Sequence, residues 1–466
     1  MKLFKSKYQW GALLSSSSSC FIGTVDFTII NTALPSIQKE LSATTVDLQW
    51  IMNIFFLALS VLIIIMGRLS DLFGRRLFNM IGLTLFGISS VFAGLATSPN
   101  WLIGCRLLQG IALAIIIPSS MSLINHAFHG DDKNKAIGIW SAITGVGLAC
   151  GPVVGGLLVS TLGWRWVFFI NIPFCAISLI LNAFFVKESL NENTVRKIDP
   201  KGFFLQIIGL TSLIIAITEA PDWGWADPVT LCFFALAIIF LPMFYFSELH
   251  SKYPLIPFKQ FHHREFLCCC MVLFCMLFFM SSCLFLIPLY LENIRHETAA
   301  TSGLMLLSLT VCVVVFSPLI GNIIDKISAK TLILSGMFCF FLSAIVQILF
   351  QENSSVFVLL SAFILAGIAW ALTRNPATAK GLAALPHSLS GSSSGVMWTF
   401  QNFGAAIGLA ITATLFRNSY EPSLTHNAFM LGYRHAMYLL AGVSLGTFLV
   451  IAVFMRNSNA KMNKAS

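Results

Sequence analysis

The chain is 466 residues long, 57% hydrophobic and 10% charged, with 42 phenylalanines and a formal net charge of +9. A soluble domain carries roughly 25% charged residues, and a water-soluble fold of this makeup would have too few polar side chains to cover its outside. Composition therefore excludes a soluble globular protein and predicts an all-α integral membrane protein.

Runs apolar and long enough to cross a bilayer as helices, about 16 to 25 residues, occur fourteen times. They cover 10–34, 48–66, 77–96, 102–123, 136–158, 166–185, 203–218, 229–246, 266–289, 304–323, 332–350, 356–372, 396–416 and 436–454. The first follows the basic start "MKLFKSK" as a signal peptide would, but its apolar stretch runs on to Leu34 with no A-x-A-like cleavage site, and Ser17-Ser18-Ser19-Cys20 lacks the leucine of a lipoprotein signal. It is read as an uncleaved span that contains the one acid well inside any run, Asp26. The loop after span 2 is "GRLSDLFGRR", in which Gly67 and Gly74 permit tight turns, Asp71 can cap a helix start and Arg75 and Arg76 stay outside the bilayer. Span 4 holds Arg106, the one basic residue within a run, with Gln109 three residues on along the same face. In span 5, "GLACGPVVGG" places Gly147, Gly151 and Gly155 on one face, where a neighbouring backbone can approach closely, and Pro152 invites a bend. Spans 7 and 8 are joined by "EAPDWGWADP", whose Trp223 and Trp225 suit interfacial anchoring or, less simply, substrate entry. All twelve cysteines fall inside runs and none forms a CxxC pair, so no disulfide framework is expected. Asn375-Pro376 after span 12, with Gly391, Gly395, Gly404 and Gly408 around span 13, fits either a flexible gate or helix packing. No metal-ligand spacing, P-loop or catalytic elbow occurs, and His262-His263 sits in a loop, so neither a metal, a cofactor nor enzymatic activity is expected.

With both termini in the cytoplasm, 22 of the 28 lysines and arginines fall in inside segments, 5 (Lys39, Arg165, Arg295, Arg417 and Arg434) in outside loops, and Arg106 within a span. That asymmetry is the positive-inside rule, so the basic balance reports topology and requires no nucleic-acid partner. "GRLSDLFGRR" (67–76) and "GNIIDKISAK" (321–330) share a glycine, an aspartate (Asp71, Asp325) and a final basic residue 254 residues apart. Eight spans separate the copies, where two six-span halves alone would put six between them, so two extra spans, 7 and 8, lie between the halves. The predicted organisation is a six-helix bundle over 1–187, a linker with two extra transmembrane helices over 188–264, and a second six-helix bundle over 265–466.

These motifs carry a family resemblance. "GRLSDLFGRR" resembles the loop 2–3 signature of the major facilitator superfamily at Gly67, Leu69, Asp71, Gly74, Arg75 and Arg76; "RLLQGIALA" from Arg106 resembles its span 4 motif; "GLACGPVVGG" matches its antiporter motif at Gly147, Gly151, Pro152, Gly155 and Gly156. "CFIGTVDFTIINTALP" (20–35), "WRWVFFINIP" (164–173) and Trp223-Gly224-Trp225 look like the fourteen-span drug:proton antiporter branch. The motifs concentrate in the first half, and the second half matches in layout. The resemblance implies the major facilitator fold, with two six-helix bundles plus two linker helices, and export rather than uptake. It also implies a charge latch at the loop 2–3 motif between the halves, a weaker second copy at Asp325, and a proton-relay role for Arg106, which stays cationic.

A buried carboxylate is driven toward protonation and a nearby cation pulls the other way, so an acid held between these pressures can exchange protons near neutral pH. Asp26 is read as that group in a proton-coupled carrier. Two plainer arrangements stay open: Asp26 satisfied by the hydroxyls of Thr24 or Thr28, and Arg106 held by span 1 carbonyls. A substrate site is expected near the midplane between the halves, with Asn31, Trp50, Asn53, Gln109, Asn375, Trp398, Gln401 and Asn402 as candidates; the same side chains could instead bridge helices. The expectation is a proton-coupled secondary transporter that exports small amphipathic or lipophilic compounds across a bacterial inner membrane by alternating access. A dedicated exporter of an endogenous metabolite, lipid or siderophore and a membrane receptor on a transporter scaffold are the alternatives. Its partners are then a small-molecule substrate, protons and the lipid bilayer. Short outer loops leave a periplasmic adaptor open without indicating one.

Overall fold

The computed structural model describes residues 7–128, 131–188, 199–251, 254, 256, 258, 263–323, 327–385, 390–420 and 425–456. Among them every regular element is helical, and fourteen helices are long and apolar enough to cross a membrane. These are α1 Tyr8–Leu41, α2 Thr45–Phe73, α3 Arg75–Gly94, α4 Pro99–Ile124, α5 Ile143–Thr161, α6 Trp166–Phe185 and α7 Pro200–Trp223, followed by α8 Pro228–His250, α9 Arg264–Asn293, α10 Ala299–Ile320, α11 Ala329–Ile348, α12 Val356–Ala383, α13 Ser393–Tyr420 and α14 His426–Phe454. They coincide one for one with the fourteen apolar runs, and the chain is a multi-pass membrane protein.

Proline and glycine account for most of the irregular points. Pro35 has no N–H to donate into a continuing α-helix, so α1 tightens into a 3-10 turn at Ile30–Ala33 and resumes as Leu34–Leu41 with the proline in its first turn. Pro173 acts likewise on α6, which breaks at Ile170 and restarts at Asn171. A reciprocal capping box of Thr44 and Asp47 starts α2. Gly74 alone joins α2 to α3, at φ 121°, a conformation that penalises any residue with a Cβ. The last run of α12 departs from expectation: the helix continues past Leu372 to Ala383 with Pro376 inside it, so Asn375-Pro376 does not follow the span. Apolarity ends there, but helical hydrogen bonding does not.

Contacts divide the chain into two compact units, one of Met1–Ile207, Ser251–Leu255 and Glu297–Leu304, the other of Ile208–His250, Ile256–His296 and Met305–Ser466. Within the first, α1 packs on α4, α5 and α6, and α3 packs on α4 and α6. Within the second, α9 packs on α12, α13 and α14, and α11 packs on α12 and α14. The pairings repeat at an offset of eight helices, the offset at which the sequence motif recurs. Each bundle also uses glycines to bring two helices together. A Cβ on Gly147, Gly151 or Gly155 of α5 would collide with Thr24, Thr28 or Thr32 of α1, and one on Gly404 or Gly408 of α13 would strike the backbone of Phe274 or Phe278 in α9. The glycines of span 13 that meet a neighbour thus serve helix packing.

Helix α7 belongs to the second unit along most of its length. Arg417, near the end of α13 and 1% exposed, donates to the Thr218 carbonyl at 3.1 Å and pairs with Asp222 at 2.9 Å. Sequence placed Arg417 in an outer loop, because the apolar run ends at Phe416; the helix carries it one turn further. The least buried of the fourteen helices is α8, which exposes Leu231, Ile238, Ile239, Met243 and Phe246, side chains suited to lipid rather than water.

Candidate functional site

Asp26 and Arg106 meet. Both are 0% exposed, and an Arg106 guanidinium N–H donates to Asp26 Oδ2 at 2.6 Å. The same nitrogen, Nη1, reaches Gln109 Oε1 at 2.9 Å. Gln109 Nε2 donates to Ser90 Oγ of α3 at 2.9 Å. Asn171, at the restart of α6, donates through Nδ2 to Asp26 Oδ1 at 3.0 Å and to Ser90 Oγ at 3.4 Å, which closes a ring of five buried side chains from α1, α3, α4 and α6. From α2, the Ile51 carbonyl accepts Arg106 Nε–H at 3.2 Å, and the guanidinium carbon lies 4.2 Å from the Phe55 ring centroid.

Neither plainer arrangement is what the structure contains. Thr24 bonds the carbonyls of Cys20 and Phe21, and Thr28 bonds those of Thr24, Val25 and Leu148. The carbonyl held by Arg106 belongs to α2, not to span 1. Asn171 and Ser90 were not selected from sequence, although Asn171 lies within the stretch "WRWVFFINIP". Asn171 is one of several neutral amides in apolar runs, and no local pattern separates it from Asn31 or Asn53, whereas a charge in a run stands alone.

The other candidates are distributed. Gln109 belongs to the ring. Asn31 is buried but turns back on α1, donating to the carbonyls of Phe27 and Thr28 at 3.0 and 3.2 Å, with Oδ1 lacking a hydrogen-bond partner. Asn53 is 0% exposed with neither amide atom hydrogen-bonded, and Trp50 is half-buried. In the second unit, Asn375 donates to the Ser317 carbonyl at 3.1 Å and Asn402 to the Trp398 carbonyl at 2.8 Å. Gln401 is 6% exposed, and the Arg374 guanidinium carbon lies 5.5 Å from the Trp398 ring centroid.

The loop 2–3 motif is fully engaged. Gly67 lies against Pro118 of α4. Asp71 does not cap a helix start: it occupies the last turn of α2 and accepts Arg75 Nε–H at 2.8 Å. The cap of α3 comes from far along the chain, where the Glu188 carboxylate accepts the backbone N–H groups of Arg76 and Leu77, each at 3.0 Å. Arg76 donates to the Ala183 carbonyl near the end of α6 at 2.6 Å. Lys330, its counterpart 254 residues on, donates to the Ala452 carbonyl near the end of α14 at 2.7 Å. Asp325 lies outside the described residues. In the antiporter motif, Pro152 sits within the helix, Gly147, Gly151 and Gly155 face α1, and Gly156 lies against the Ala299 backbone of the same unit.

Residues 17–409 match the family model described as Major Facilitator Superfamily. The chain is 32% identical over 404 residues to the multidrug resistance protein Stp of Mycobacterium tuberculosis, covering 86% of this chain and 75% of that protein. It is 30% identical over 406 residues to the tetracenomycin C resistance and export protein of Streptomyces glaucescens, covering 87% and 76%. A crystal structure of an auto-inhibited POT family peptide transporter superposes with a TM-score of 0.75 at 12% identity over 99% of both chains, a likeness of fold.

Proposed function

The chain belongs to the major facilitator superfamily, and we propose that it exports small amphipathic or lipophilic compounds in exchange for protons, by alternating access, across a bacterial inner membrane with both its termini in the cytoplasm. It is a membrane transporter, not an enzyme. The relatives named for multidrug resistance and for resistance and export support efflux as the direction.

The observation that carries the reading is the buried Asp26–Arg106 pair within its ring. Two desolvated charges contribute little to stability, since apolar replacements of such pairs are often neutral or better, while ionisable groups at membrane depth are by default functional. Protonation of Asp26 removes the charge that binds Arg106 and loosens α1 from α4; loss of the proton restores the pair. Asn171 and Gln109 hold the two partners in register through the cycle. A proton moving inward through 100 mV releases about 2.3 kcal/mol, enough to concentrate a neutral compound outward about fiftyfold. Asn31 and Asn53 are the proposed substrate contacts of the first unit; a buried amide with unpartnered atoms, as at Asn53, can bind a polar group of a ligand.

Everted vesicles loaded with a panel of fluorescent compounds, with and without a pH gradient, test the reading. Gradient-dependent transport with competition among chemically unrelated cations is expected; transport of a single compound identifies a dedicated exporter instead. Asp26→Asn is expected to insert normally and abolish gradient-driven efflux, and full efflux by that variant refutes the coupling role.

A further inference from the structure

A second buried polar cluster lies in the first unit, at the end that carries Gly74, built on the same four helices as the ring but separate from it. Asn79 of α3 is its centre. The Asn79 Nδ2 donates to Ser119 and Ser120 of α4 at 3.1 and 2.9 Å, and its Oδ1 accepts from Ser19 of α1 at 3.3 Å and from Asn182 of α6 at 2.7 Å. All five residues are 0% exposed. The cluster does not satisfy itself, since Asn182 Oδ1 is buried without a hydrogen-bond partner; on α1, the hydroxyls of Ser15, Ser16 and Ser17, in the turn before Ser19, are likewise buried and unpartnered. Orphaned buried polar atoms are the atoms that bind internal water.

Between ring and cluster, the side chain four residues from a ring member on each helix is apolar or a thiol. Ile22 of α1, Phe86 of α3, Leu113 of α4 and Cys175 of α6 occupy the intervening turns of their helices, each at most 3% exposed. Along α6 the interval from Asn171 to Asn182 is about 16 Å by helical rise, and the buried Ser178, which donates to Ser18 Oγ at 2.8 Å, lies within it.

We propose that the Asn79 cluster is the cytoplasmic half of a proton path inside the first unit, with the Ile22–Phe86–Leu113–Cys175 layer as its dry gate; this rests on Asp26 being the proton-coupling group. When the layer opens, the Asp26 carboxyl gives its proton to water and is left as a carboxylate paired with Arg106. Each water or serine oxygen along the path accepts one proton and passes another on, so the path ends unchanged. Asn79 and Asn182 orient the water and do not themselves titrate. Protons then reach the cytoplasm without crossing the route taken by substrate.

The test uses the full-length protein in proteoliposomes with ethidium as the transported probe and an entrapped pH-sensitive dye. Asn79→Leu and Asn182→Val are each expected to lower gradient-driven ethidium flux about tenfold while ethidium–ethidium exchange at equal pH stays within about twofold, and Asn79→Ser, which keeps a polar side chain and room for water, is expected to retain both. Phe86→Ala is expected to raise the proton leak without ethidium. Wild-type gradient-driven flux in Asn79→Leu and Asn182→Val overturns the path, as does an equal fall in flux and exchange, which marks a packing role. Asp26→Asn separates the two readings: undiminished flux in that variant refutes proton coupling at Asp26, whereas its loss beside unaffected Asn79 and Asn182 variants refutes only the path.

Discussion

Asp26 accepts hydrogen bonds from side chains 80 and 145 residues further along the chain, and these two contacts differ in how readable they were. The Asp26–Arg106 half was legible because each residue is a charge set in an apolar run, an expense that demands a partner. The Asn171 half was not, because its role depends on a helix break at Ile170 and on a tertiary distance that no local pattern encodes. Arg417 was misplaced for the opposite reason: it stands at the edge of a run, where hydropathy alone assigns it to water. The ring also predicts why lysine cannot replace Arg106. One guanidinium serves Asp26, Gln109 and the Ile51 carbonyl at once, and an ammonium is a point charge without that fork. Arg106→Lys is expected to leave abundance unchanged and to lower the vesicle transport rate roughly tenfold or more, as measured by initial fluorescence change.

Helix existence followed from apolar length, and helix shape did not. All fourteen runs are helices, yet the 3-10 turn after Ile29, the continuation of α12 through Pro376 and the remote cap at Glu188 depend on packing and on hydrogen-bond partners outside each run. The glycine repeat of α5 was readable as a close-packing face, but its partner was not. The structure supplies one, the Thr24, Thr28 and Thr32 ladder of α1. Gly151→Ala is expected to cost about 1–3 kcal/mol through overpacking, seen as a lower thermal midpoint in detergent. Thr28→Ala is expected to restore part of that loss in the double variant, a coupling that two independent sites would not show. At the C-terminal end of α13, Arg417→Ala is expected to destabilise measurably in the same assay, because Asp222 and the Thr218 carbonyl lose their buried partner.

At the scale of the molecule, a ten-residue motif copied 254 residues apart was enough to infer two similar bundles with two helices added between the copies. Helix pairings repeat at that offset, and Arg76 and Lys330 each fasten the start of one helix to the end of the last helix of its bundle. Each tie is internal to its own bundle, and the side of the bilayer is assigned by charge asymmetry. Reporter fusions should therefore show residues after even-numbered helices facing the cytoplasm, as the charge asymmetry requires; alkaline phosphatase activity from a fusion at Lys187 would contradict that orientation.

The seam between α1 and α5 also sets what kind of movement the first bundle can make. Its threonines already spend their hydroxyls on carbonyls of their own helix, and Thr28 also reaches across, to the Leu148 carbonyl. Glycine opposite threonine makes a seam held by close fit, with each threonine lodged over its own glycine. Steric fit rather than polar bonding therefore sets how far α1 and α5 can shift against each other.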